Sequence, residues 1–152
     1  SAPKSDKEAG KSHYGNRNDD LHSISGERRM SYEFYQTLHV LGLFLLFSSL
    51  GAAALHAMNG GTKESNPSRK WVAITHGVGL LFVLVAGFGL LAKSGRGNPD
   101  NWPAYIPIKL GMWFVFGAAL VVFYRKPKWA KALWVLLPLL GGFIAAKVFG
   151  LL

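Results

Sequence analysis

The sequence predicts an all-α integral membrane protein: a four-span antiparallel helix bundle with a polar N-terminal extension. Three observations lead there. Half of the 152 residues are apolar. All eight acidic residues lie before position 34 or at Glu64 and Asp100, so long stretches carry no negative charge. Four apolar segments, each near the ~20 residues that cross ~30 Å of hydrocarbon, are separated by short runs rich in Gly, Pro and Asn. A soluble protein scatters charge along its helices; here the solvent is lipid. Aliphatic content and length favour helices over barrel strands, which are shorter and alternate in polarity.

Residues 1–30 are rich in Ser, Lys, Asp, Asn and Gly and poor in large aliphatics. They bury too little surface to fold alone and are expected to form an extended arm. They contain no apolar core of a cleavable signal, so none is expected. Residues 31–152 form the membrane domain, with spans over about 34–58, 71–92, 105–124 and 129–151.

The first span is expected to end at Asn59-Gly60-Gly61, and Asn66-Pro67-Ser68 precedes the second. The second stops in Ser94–Pro99, and Arg125-Lys126-Pro127-Lys128 parts the third from the fourth. Connections this short make sequential helices antiparallel neighbours. Trp71, Trp102, Tyr105, Tyr124 and Trp129 sit near span ends, the depth preferred by interfacial aromatics. The second and fourth spans are rich in small residues, including Gly77, Gly79, Ala86, Gly87, Gly89, Gly141 and Gly142, and the first carries Ser48, Ser49 and Gly51 through Ala54. Such residues allow helices to approach closely.

Composition excludes several functions. The absence of cysteine removes disulfides, thiolate metal sites and iron–sulfur clusters. The net charge of +9 resides mainly in the extension and loops. It flanks apolar spans, where anionic headgroups sit, rather than forming the basic face of a nucleic-acid binder. The first and third loops carry Lys63, Arg69, Lys70, Arg125, Lys126, Lys128 and Lys131, which leans toward both termini outside. No carboxylate lies within any span, which argues against proton-coupled carriers and cation channels.

Ionisable residues inside a span are costly and therefore the first functional candidates. There are five: His39, His56, His76, Lys109 and Lys147. Antiparallel threading at 1.5 Å per residue places His39, Lys109 and Lys147 roughly 6–8 Å inside the boundary nearest the N-terminus. His56 and His76 lie toward the opposite boundary, in adjacent helices, and would offer two imidazoles for axial ligation of a haem or chlorin metal. His39 is a third candidate ligand, and Lys109 and Lys147 suit haem propionates or a lipid headgroup. His39 and His56 are about 25 Å apart along their helix and cannot share one site. The plainer readings are snorkelling lysines, a headgroup-level His56 and histidines that hydrogen-bond a neighbouring helix.

Tyr32–His39 opens the first span much as in small four-helix proteins of the SirB-like and HemJ-like kind. Thr75–Leu80 followed by Ala86–Gly89 resembles their second span, and Pro107–Gly111 with Gly117 is similar to their third. The resemblance covers residues 31–125 and implies a four-helix membrane fold. The HemJ-like branch implies a haem-binding protoporphyrinogen oxidase with a first-span histidine and a third-span lysine, here His39 and Lys109. The chain departs from that branch in lacking arginine-rich helix ends and in carrying a basic extension.

The expectation is therefore an accessory subunit of a larger photosynthetic or respiratory membrane assembly, in a bacterial inner membrane. It would associate with lipid and other membrane subunits, with haem b or a chlorin as the candidate ligand. No nucleic acid or soluble substrate is expected. The alternatives are a HemJ-type oxidase acting on a tetrapyrrole, with His39 and Lys109 catalytic, and a ligand-free scaffold.

Overall fold

The computed structural model describes the backbone of residues 17–148 and the side chains of residues 31–100 and 102–147. Four helices follow one another: α1 (Arg17–Met58), α2 (Arg69–Lys93), α3 (Tyr105–Arg125) and α4 (Pro127–Val148), with a 3₁₀ turn at Pro99–Asn101 before α3. All four contain a stretch long and apolar enough to cross a membrane: Ser31–Met58, Arg69–Lys93, Tyr105–Arg125 and Pro127–Lys147. The chain is an all-α four-helix bundle whose apolar helices are compatible with a lipid bilayer.

The extension differs from expectation. Residues 1–16 lie outside the described residues, but 17–30 are helical and continuous with the first span, not extended. Adding residues to an existing helix is far cheaper than nucleating one, so a long apolar helix carries a polar flank with it.

The helix ends follow from backbone chemistry. Gly60 adopts φ +79° just past α1 and Gly95 φ +76° just past α2, values that L side chains rarely tolerate. In both, the glycine N–H bonds back three residues and the next N–H bonds back five: Gly60 to Ala57 and Gly61 to His56, then Gly95 to Ala92 and Arg96 to Leu91. This paired arrangement satisfies the last carbonyls of each helix. Pro107 falls in the first turn of α3, where a missing N–H costs nothing, and Pro127 opens α4. Pro138 lies inside α4 and removes the hydrogen bond to the Trp134 carbonyl.

Sequential helices are neighbours, as the short loops predict. α1 touches all three others, whereas α2 and α4 do not meet. The α1–α2 pair is the tightest. On α1 the seam runs through Tyr35, His39, Gly42, Leu46 and Ser49, alternating steps of four and three as in a coiled coil. At its centre the backbones nearly touch: a methyl group on Gly79 would lie 2.8 Å from the Leu46 nitrogen and 2.9 Å from the Gly42 carbonyl oxygen. Glycines allow this approach in lipid, where packing rather than water exclusion holds helices together.

The main core cluster lies toward the end bearing the first and third loops, with Ala86 and Leu91 of α2 buried apart from it. There Leu46, Leu50, Ala53, Ala54 and Ala57 of α1 meet Val72 of α2, Phe116, Ala119 and Phe123 of α3, and Ala130 and Leu137 of α4. Phe47 and Phe116 meet edge to face, with ring centres 5.3 Å apart. Toward the other end α3 and α4 bury less. The buried share of the span falls from 33% in α1 to 11% in α4, so α4 presents most of its apolar surface outward.

Candidate functional site

His39 stands on the α1–α2 seam, one turn from Gly42. Its Nδ1 lies 3.0 Å from the Val83 carbonyl oxygen of α2. A carbonyl can only accept, so Nδ1 carries the hydrogen and donates. In the neutral ring that leaves the Nε2 lone pair bare, and no group among the described residues bonds to it. Gly87, one turn beyond Val83, lies beside the ring: a methyl group there would stand in ordinary contact, 3.6 Å from the imidazole. The Tyr35 ring fills the space over Gly89, one turn below His39 on the same seam. Lys109 of α3 lies within electrostatic range of His39, and its ammonium sits 5.0 Å from the centre of the Tyr105 ring.

His76 of α2 is buried, with 5% of its surface exposed. Its Nδ1 lies 3.1 Å from Ser49 Oγ, and that hydroxyl donates to the Leu46 carbonyl at 2.7 Å. The hydroxyl hydrogen is thus committed to Leu46, so the imidazole donates through Nδ1. Its Nε2 is buried against the Gly117 backbone of α3, with no hydrogen-bond partner of good geometry. His56 is different. Its Nε2 donates to the Thr62 carbonyl at 2.9 Å and contacts Ser65 Oγ at 3.2 Å, so the ring is anchored to its own loop.

These positions revise the expected groupings. His56 and His76 do not pair. His76 engages Ser49, about 10 Å down α1 from His56, while His56 folds onto its own loop because the α1 terminus there presents open backbone. Of the expected group of three at the other end, Lys109 lies within electrostatic range of His39, and Lys147 is directed elsewhere. Its ammonium lies 6.0 Å from the centre of the Phe143 ring on its own helix, on the outward side of the least-covered span. Among the described residues no three His, Asp or Glu side chains converge as a metal cluster.

Three polar contacts carry structure that composition did not mark. Ser49, expected only as a small packing residue, orients His76. Trp113 Nε1 donates to the Leu80 carbonyl at 3.0 Å, so α2 receives side-chain donors at Leu80 from α3 and at Val83 from α1. Asn66 Nδ2 donates to Tyr124 Oη at 2.8 Å and ties the first loop to the end of α3. The four–three spacing of Tyr35, His39, Gly42, Leu46 and Ser49 is the sequence signal that would have placed His39 and Ser49 on one seam. Trp102 Nε1 is also buried without a partner, its ring 6.0 Å from that of Phe88. Compared with protein-family models, curated proteins and solved structures, the chain matches none.

Proposed function

We propose that the protein is a small membrane subunit that holds a haem or a chlorin through His39, within a larger energy-transducing assembly of a bacterial inner membrane. One observation carries the reading: the Nδ1–H of His39 is anchored to the Val83 carbonyl while Nε2 is bare. Metal-ligating histidines have this arrangement, because a hydrogen bond from the second nitrogen fixes ring orientation and tautomer and raises ligand basicity. Lys109 in electrostatic range suits a propionate carboxylate. The His76 Nε2 is enclosed by protein, and His56 is anchored through Nε2 to its own loop at the helix end, away from the α1–α2 seam. The residues present thus fit an axially bound metal best at His39. A bound tetrapyrrole would supply light absorption or one-electron chemistry. The outward apolar surface of α4, with Leu136, Leu139, Leu140 and Phe143 all exposed, fits other membrane helices as well as acyl chains.

The test is an optical spectrum of the protein purified in mild detergent. A Soret band is expected in the parent and in His76→Ala and His56→Ala, and its loss in His39→Ala. A pigment-free parent, or full retention in a folded His39→Ala, would refute the assignment. The subunit reading expects co-purification with other membrane proteins in stoichiometric amount.

The proximity of His39 and Lys109 favours a second reading, a HemJ-type oxidase of protoporphyrinogen. It requires turnover of that substrate which Lys109→Ala abolishes while the haem spectrum persists.

A further inference from the structure

The end of the bundle that carries the first and third loops is strongly cationic. Seven lysines and arginines lie in residues 59–70 and 125–131, against the single carboxylate of Glu64. All seven are exposed, and none forms an ion pair among the described residues. Neither α2 nor α4, which begin at this end, has an acidic residue in its first turn to neutralise them. Glu64 is held by its own backbone N–H and the Thr62 side chain, which keep its carboxyl below the ordinary glutamate value. Lys63 and Arg69 also favour its charged form, and one carboxylate leaves most of the seven positive charges unmatched.

The platform is ordered rather than loose. His56 bonds Thr62 and Ser65, Ser65 Oγ accepts from the Thr62 N–H at 2.8 Å, and Asn66 ties the loop to Tyr124. Arg69 and Lys70 therefore start α2 from a fixed loop, and Lys128 and Lys131 lie in the first turns of α4, only Lys126 separating that helix from α3. Trp71 and Trp129 stand beside these cations with 74% and 62% of their surfaces exposed. Exposed tryptophans next to apolar spans mark the headgroup level of a bilayer. The charges thus sit at the depth of lipid phosphates.

We infer that this loop face binds anionic lipid headgroups, with Arg69 and Lys70 on the α2 flank and Lys128 and Lys131 on the α4 flank as the principal contacts. Because α2 and α4 do not meet, the two flanks engage separate lipids. The complementary charge favours phosphatidylglycerol-type over zwitterionic lipids, and it places this end at the anionic leaflet. The inference does not depend on any bound pigment.

The test titrates the full-length protein in non-ionic detergent with phosphatidylglycerol or phosphatidylcholine of the same acyl chains, counting bound lipid by native mass spectrometry. Phosphatidylglycerol is expected to bind at least tenfold more tightly. One basic residue near an anionic surface ordinarily contributes enough that Arg69→Gln with Lys70→Gln weakens this binding about 30-fold. Lys128→Gln with Lys131→Gln does the same at the other flank. Lys93→Gln with Arg96→Gln, at the opposite end, leaves affinity within twofold. Because these residues are exposed, the variants are expected to melt like the parent. Equal affinity for the two lipids, or an equal loss in the Lys93/Arg96 variant, would overturn the inference. Tight binding of a polyglutamate peptide without lipid preference would overturn it too and make the face a dock for an acidic protein.

Discussion

Replacing Gly79 by alanine tests the seam on which the candidate site depends. The added methyl would lie 2.8 Å from the Leu46 nitrogen, 2.9 Å from the Gly42 oxygen and 3.1 Å from the Leu46 α-carbon. All three are backbone atoms and cannot rotate away. Ordinary contact begins near 3.4 Å, so α1 and α2 must part by about 0.6 Å at this level. Overpacking of this kind costs about 1–3 kcal/mol. Alanine returns up to ~1 kcal/mol of helix propensity, leaving a net loss of about 0–2 kcal/mol. Gly77→Ala is the matched control: it lies on the same helix and nothing stands within 4 Å of its added methyl. It keeps the propensity gain without the clash. Thermal melting in detergent should place Gly79→Ala below the parent by up to about 8 °C and Gly77→Ala level with it or above. Histidine side-chain NMR should also show His39 and His76 disturbed in Gly79→Ala alone, since both bonds cross this seam. If the two variants melt alike, the backbone contact does not hold the pair together and the placement of His39 over Val83 loses its footing.

Two further outcomes follow from the polar contacts. Ser49→Ala removes the acceptor of the His76 Nδ1–H in a buried seam and should cost about 1–3 kcal/mol in stability, with His76 Nδ1–H the exchangeable proton most shifted by NMR; parent-like stability would mean the hydroxyl does not orient the ring. Tyr124→Phe removes the acceptor of the Asn66 bond at a buried asparagine, and should lower the melting free energy by about 0.5–1.5 kcal/mol while speeding amide exchange in residues 59–68; unchanged exchange there would show that the loop is fixed by His56 alone.

Hydropathy made the spans legible because crossing a bilayer is a local demand: every backbone group in a long apolar run must bond within its own helix. Gly60 and Gly95 were equally legible, since φ values above +70° at a helix end select glycine whatever the rest of the fold does. The helical stretch 17–30 was not legible from its polarity, because its helicity is inherited from the span that follows it.

What the sequence could not fix is which faces meet. In lipid an outward leucine is as well solvated as an inward one, so hydropathy carries almost no information about facing. That choice rests on backbone approach at Gly42 and Gly79, a contact between positions far apart in the chain. The fate of the five ionisable residues follows from it. The sequence named His39, His56, His76, Lys109 and Lys147 by the cost of placing them in a span. Only the packed bundle turned His39 onto a carbonyl of α2 with its other nitrogen bare, sealed His76 behind Ser49, spent His56 on a loop and left Lys147 facing outward. The residue types are set by what a membrane tolerates. Their roles are set by which neighbour each ring nitrogen reaches, and that is a property of the tertiary structure alone.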